Sequence, residues 1–283
     1  MLGAIIGDVT GSIYEVLEVD YLKKNHIPRP YNERVKILDK KTPLFTEKSC
    51  VTDDSVLTCA IYDAIKNGNC DYKNYLKEYG KKELEKGHDM YGRNRFSKGF
   101  VEWINGDFQG NSFGNGAAMR VSPVGYLFES FYDVKEQAKL SAIPTHNNEE
   151  AIKGAEAIAI SIFLLKYGYV KEKVKKYIID NYYNLNYDLE TLQKTNFFSS
   201  KASVTVPLAL FVFFESSDFE DAIRKAISIG GDSDTIASMV GALAEAYYEI
   251  PEELVEQVMP YLNKEMIELF KGKYFDINKV LKK

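Results

Sequence analysis

The sequence predicts an all-α protein folded as one compact domain, residues 1–283. Three observations carry that expectation. Apolar residues recur at helical spacing along most of the chain. Period-two alternation bounded by turn residues is rare. No Pro-, Ser- or Gly-rich linker, low-complexity tract or internal repeat divides the 283 residues.

The elements follow in order. Gly3, Gly7 and Gly11 recur every four residues in a first helix, which puts them on one bare stripe. Each costs about 1 kcal/mol relative to alanine, so the stripe serves either close helix packing or close approach of a ligand or metal. Asp8 and Glu15, two turns apart, share a face as solvated acids or as part of a site. Ser55–Lys66 carries Val56, Leu57, Ala60, Ile61, Ala64 and Ile65 on one stripe and stops at Asn67-Gly68. Weaker helical patterns cover Asp71–Lys86, Arg93–Ile104 and Tyr132–Ala142. Glu149–Lys166 is apolar nearly all round from Ala157, as a buried central helix should be. Asn181–Ser200 reads as irregular. Val206–Phe214 is a second buried helix with Pro207 in its first turn. Asp218 caps a helix to about Ile227. Thr235 can cap Ile236–Tyr248, and Pro251 opens Glu252–Tyr261.

Lys plus Arg number 36 and Asp plus Glu 41, a formal charge of −5. A nucleic-acid partner is disfavoured, because it needs a basic footprint. The longest apolar stretches, Ala157–Leu165 and Val206–Phe214, fall well short of the roughly 20 residues of a membrane span. The N-terminal segment lacks the basic start of a signal peptide. Cys50, Cys59 and Cys70 show no paired spacing and fit free thiols in a reduced compartment. The expectation is a cytoplasmic monomer.

Four clusters carry chemistry. Thr52-Asp53-Asp54-Ser55 precedes a helix, where acids are favourable, but two adjacent acids exceed what capping needs. Gly230-Gly231-Asp232-Ser233-Asp234-Thr235 repeats the pattern, and its glycines allow backbone to approach a ligand closely. Presented together, the two clusters make an all-oxygen site suited to hard divalent cations, Mg²⁺, Mn²⁺ or Ca²⁺; paired capping is the simpler alternative. Ser112-Phe113-Gly114-Asn115-Gly116 can point backbone amides at an anion or be an ordinary turn. Arg120 behind it suits a structural pairing with a carboxylate. His146, in Thr145-His146-Asn147, is a cap, an acid/base group or a ligand contact.

In this order, and with the glycine-striped first helix, these segments resemble the ADP-ribosylglycohydrolase family, which includes the dinitrogenase reductase-activating glycohydrolase and the ADP-ribosylserine and ADP-ribosylarginine hydrolases. The resemblance spans residues 3 to about 245. It implies a compact all-α fold with two divalent cations, Mg²⁺ or Mn²⁺, at the floor of a cleft. It implies Thr52, Asp53, Asp54, Asp232, Asp234 and Thr235 as metal ligands. Glu15, Asp54 and Asp232 become the candidate catalytic acids. Backbone amides of Ser112, Phe113, Gly114 and Asn115 would hold the diphosphate of ADP-ribose, and His146 would contact the same ligand. The implied reaction is hydrolysis of the bond between ADP-ribose and an acceptor: a protein side chain such as Arg or Ser, or a small conjugate. A non-catalytic ADP-ribose reader and a metal-dependent phosphoesterase are the competing functions.

Overall fold

The computed structural model describes residues 1–269. Among these, regular structure is helical throughout, and two isolated bridges, Asn111 with His146 and Gly114 with Lys201, are the only β-type pairings. The longer helices are α1 (Leu2–Asn25), α2 (Asp53–Lys66), α3 (Tyr72–Leu84), α4 (Lys98–Asn105), α5 (Phe131–Ala142), α6 (Glu149–Lys166), α7 (Lys171–Asn181), α8 (Ala202–Phe214), α9 (Phe219–Ser228), α10 (Ser233–Tyr247) and α11 (Glu252–Val258). No helix among the described residues is long and apolar enough to cross a membrane. All three cysteines are free.

Most helix starts obey local rules. Asp71, Ser97, Ser130, Asn148 and Asp218 each cap their helix by accepting a backbone N–H, with Asp218 accepting from Asp221 at 2.8 Å. Four elements depart from the sequence expectation. The helix expected over Arg93–Ile104 begins only at Lys98, which leaves Arg93 in an irregular segment. Helix α8 starts at Ala202, so Pro207 lies inside it and not in the first turn. Proline cannot donate to the carbonyl one turn back; the helix tolerates this because its apolar body, buried from Thr205 to Phe214, is locked in the core. Helix α10 begins at Ser233, which places Thr235 in the first turn and Asp232 at the cap position. A short helix, Leu189–Thr195, interrupts the segment expected to be irregular.

The glycine stripe packs against a helix. A Cβ on Gly3 would collide with the Gly241 carbonyl, one on Gly7 with the Ala237 carbonyl, and one on Gly11 with the Ser233 carbonyl. As the α1 position advances by four, its α10 partner retreats by four, so the two helices run antiparallel with backbone against backbone. Helix α10 is buried on every side from Ser233 to Ala244. Helix α1 is buried continuously from Leu2 to Ser12. This contact fixes where Asp8 and Glu15 stand relative to the start of α10.

Gly7→Ala removes the stripe's central gap. Overpacking of a tight core costs about 1–3 kcal/mol, more than the helix propensity alanine gains. Thermal melts should show a clear loss of stability for Gly7→Ala. Gly99→Ala on α4, where an added Cβ meets nothing within 4 Å, should leave stability unchanged or slightly raised. Equal melts for the two variants would show that the α1–α10 contact is not tight.

Candidate active site

Three helix segments bring their acids to one point. Asp8 lies on the buried part of α1 and accepts from the Thr52 amide at 3.0 Å, the Thr52 hydroxyl at 2.7 Å and the Ser55 amide at 3.1 Å. The Ser55 hydroxyl also donates to it. Asp8 therefore holds the start of α2 against α1. Thr52 caps α2 through the Asp54 amide, so neither Asp53 nor Asp54 is needed as a cap. From α10, the Thr235 hydroxyl donates to Asp54 Oδ2 at 3.1 Å. Asp232 sits at a cap position without capping; its Oδ2 accepts instead from Asn115 Nδ2 at 2.7 Å.

Two overlapping sets of carboxylates result: Asp8, Asp54 and Asp234, and Glu15, Asp232 and Asp234. Within each set the oxygens lie within 4.8 Å of one another. Asp54 Oδ1 is buried with no hydrogen-bond partner. A buried, unpartnered carboxylate oxygen among other carboxylates is costly unless something positive meets it. The donor set is all oxygen, the chemistry hard divalent cations take, so the residues fit a cation site.

The charge states report the same crowding. Burial pushes the Asp8 carboxyl up to about 6, against the hydrogen bonds from Ser55 and Thr52 that lower it. Burial, then the charges of Asp8, Glu15 and Asp232, push Asp53 up to about 7. Burial and Glu15 raise Asp232 to about 6. Burial and neighbouring carboxylates hold Asp54 and Asp234 well above the usual range.

A cavity of about 510 Å³ leads from these acids to the glycine loop, lined by Asp53, Asp232, Asp234, Ser112, Gly114, Asn115 and His146 together with Trp103 and Phe108. Gly116 makes room for His146, since a Cβ there would lie 2.9 Å from the ring. His146 is held from behind. Buried Arg120 donates to the Thr145 hydroxyl at 2.7 Å, and that hydroxyl lies 2.6 Å from His146 Nδ1. With Arg120 able only to donate, the hydroxyl proton is free for Nδ1, which leaves the proton of a neutral ring on Nε2. Burial, then Arg120, lowers the His146 pKa to about 3 and keeps the ring neutral.

A sequence profile described as ADP-ribosylglycohydrolase matches residues 1–277. The chain belongs to the ADP-ribosylglycohydrolase family. It is 26% identical to "ADP-ribosylhydrolase ARH3" of Gallus gallus, covering 88% of this chain and 84% of that one. It is 24% identical to "ADP-ribosylarginine hydrolase Tri1" of Pseudomonas putida, covering 91% of this chain and 72% of that one. A solved structure titled "ADP-ribosylglycohydrolase-related protein complex" superposes with a TM-score of 0.64 at 21% identity, over 95% of each chain, and shares the fold.

Of the residues expected at the cation site, Asp54, Asp232 and Asp234 fall in the carboxylate sets, Asp53 and Thr235 line the same cavity, and the Thr52 hydroxyl bonds Asp8 and Asp54. The glycine loop is arranged differently from the expectation. The Ser112 amide donates to the Thr145 carbonyl at 3.2 Å, the Gly114 amide to Ser112 Oγ at 3.1 Å, and the Asn115 amide to the Ser200 carbonyl at 2.8 Å. These three amides shape the loop and are not turned to an anion. The Phe113 side chain is 57% exposed beside Lys201 and does not line the cavity. Arg120 finds no carboxylate partner; it donates to the Ser141 carbonyl and Thr145. Gly230 and Gly231, both at positive φ, admit the chain's own Arg34 and Asn196 side chains and not a ligand.

Asp8 is the residue the sequence reading left outside the site. Its signal was the seven-residue spacing from Glu15 on the glycine helix. Trp103, Phe108 and Phe198 line the cavity with no motif to mark them.

The raised carboxyls make stability depend on pH. An Asp pKa near 3.8 when unfolded and about 6 to 7 when folded favours the fold below about pH 4, and that contribution is lost as pH rises through 6 to 7. Cation-free protein should therefore melt at progressively lower temperature between about pH 5 and pH 7.5. A saturating divalent cation such as Mg²⁺ should raise the melting temperature more at pH 7.5 than at pH 5. A cation-induced shift independent of pH would contradict this account.

Proposed function

We propose that this chain hydrolyses the C1″ bond joining ADP-ribose to an acceptor, with two divalent cations, Mg²⁺ or Mn²⁺, held by the converging acids. The observation that carries the reading is Asp234, which belongs to both carboxylate sets. One shared acid between two triads suits a bridged pair of cations. Asp8, Asp54 and Asp234 would hold one, and Asp232 and Asp234 the other, with Thr52, Asp53 and Thr235 completing the ligand shell and Glu15 left beside them for proton transfer. Bound cations supply Lewis-acid polarisation of ribose hydroxyls and of a water.

The chain's own residues do the rest. The cavity beside the glycine loop takes the nucleotide side of the substrate. His146 offers Nε2–H to an acceptor oxygen of ADP-ribose, and Asn115 both lines this cavity and holds Asp232 in place. Glu15, on the rim between cavities, is the candidate general acid or base. Water adds its oxygen to C1″ and its proton reaches the leaving atom, through a transition state with oxocarbenium character. Because residues 8–15, 52–54 and 232–235 all contribute, we read the chain as a single functional unit.

Asp54→Asn and Asp234→Asn should each abolish ADP-ribose release from modified peptides, and chelation of divalent cations should do the same to the unmodified enzyme. Product mass decides the chemistry: intact ADP-ribose supports the reading, whereas AMP would indicate attack on the diphosphate. Thr145→Val keeps the side-chain shape but frees the His146 tautomer. Calorimetry should show ADP-ribose binding weakened about tenfold, or about 1.4 kcal/mol, the worth of one hydrogen bond; unchanged affinity would remove His146 Nε2 from the contact.

A further inference from the structure

A second cavity, of about 550 Å³, meets the nucleotide cavity at Glu15, Asp53 and Asp234 but does not touch the glycine loop. A substrate cleaved at that junction has its ADP-ribose on one side and its acceptor on the other. The second cavity is therefore the acceptor's side, an assignment that rests on the glycohydrolase reading above.

Its charges are already spoken for. Arg93 pairs with Glu15 and, at 2.8 Å, with Asp89. The Asp89 carboxylate also accepts from the backbone amides of Tyr91 and Arg93. Glu83 is held by Arg95 at 2.7 Å and Lys86 at 2.6 Å. No carboxylate outside the cation cluster remains open to a new cation. Lys23, exposed on the same lining, has no carboxylate within ion-pair distance among the described residues. Val19, Leu22, Val51 and Phe96 form an apolar wall beside the polar side chains of Thr52, Asn94 and Ser97.

We propose that Arg93 selects the acceptor, and that the enzyme takes ADP-ribose attached through an uncharged oxygen in preference to ADP-ribose attached to a guanidinium. With Asp53 and Asp234 taken up by the cations, a substrate guanidinium at the junction would meet the Arg93 guanidinium and would have to break the Arg93–Glu15 pair to find a counter-charge. Like charges at such separation repel, more strongly when partly shielded from water. An oxygen-linked acceptor carries no positive charge, rests against the apolar wall, and takes a proton on its oxygen as the C1″–O bond breaks. Arg93 is a positioning residue as well, since it fixes the Glu15 carboxylate.

The test measures kcat/KM for ADP-ribose release from serine-linked, glutamate-linked and arginine-linked peptides of matched sequence, with Mg²⁺ present. The unmodified enzyme should favour at least one oxygen-linked peptide over the arginine-linked one by tenfold or more; serine and glutamate arms separate ether-type from ester-type oxygen. Arg93→Gln should narrow that ratio at least tenfold, chiefly by lowering KM for the arginine-linked peptide, and Arg93→Lys should preserve it. The ratio cancels any loss of chemistry common to all substrates through Glu15. Equal or greater activity on the arginine-linked peptide by the unmodified enzyme overturns the proposal, as does a ratio unmoved by Arg93→Gln. If Arg93→Gln does not fold, the selectivity of the unmodified enzyme decides. Release from none of the peptides overturns the glycohydrolase reading itself.

Discussion

The antiparallel contact of α1 and α10 is the constraint on which the rest depends. Glycine at positions 3, 7 and 11 lets two helix backbones touch, with Gly241 giving way from the other side. At this separation the side chains that flank the stripe cannot avoid the neighbouring helix. Asp8, one residue past Gly7, is delivered to the start of α2, where it collects amide and hydroxyl donors. Asp234 lies where a Cβ on Gly11 would strike its backbone. The glycines thus act on the chemistry without touching a ligand. They set the distance between helices, and that distance sets which carboxylates can share a cation. Packing density, more than propensity, decides the element pairing here.

The same closeness makes the site expensive to assemble. Four aspartates and a glutamate converge, with Asp53 beside them, where burial already disfavours charge. Hydrogen bonds from Ser55, Thr52, Thr235 and Asn115 offset part of this cost. They do not reach Asp54 Oδ1. A fold that leaves a core carboxylate oxygen bare has put local stability second to binding, which is the pattern expected of a functional site. Elsewhere the chain follows the local rules closely: Asp218 caps, Asp71 caps, and surface acids find lysines one helical turn away.

How much of this was legible in the sequence depends on how far apart the interacting residues lie. Helices α2, α6 and α9 are encoded by local periodicity and caps, and their observed bounds lie close to the expected ones. The paired acids at 53–54 and 232–234 announce themselves because they exceed what their own helix starts require. What failed to show depends on partners distant in the chain. Asp8 gains its role from Thr52 and Ser55, more than forty residues on. Arg120 looked like half of an ion pair, yet its partners are a carbonyl and a hydroxyl. Pro207 seemed to need a helix start because nothing local reveals that the surrounding core holds α8 straight through it. The Gly230–Gly231 turn invited a ligand by composition, and only the three-dimensional neighbourhood shows Arg34 filling that space.

The two cavities have different kinds of wall, and this bears on how one fold serves several acceptors. Beside the first cavity, the glycine loop is pinned by its own amides to the Thr145 and Ser200 carbonyls, and His146 is fixed through Thr145 and Arg120. These are buried, mutually dependent bonds, and changing one disturbs the others. Beside the second cavity, the segment carrying Asp89 and Arg93 is irregular and half-exposed, tied to α1 by the Arg93–Glu15 pair. Such a segment can change while the buried aspartates keep their places, although Arg93 itself bears on Glu15. On the proposed reading, the local charge around Glu15 distinguishes acceptors, because the leaving group enters there and the ADP-ribose does not.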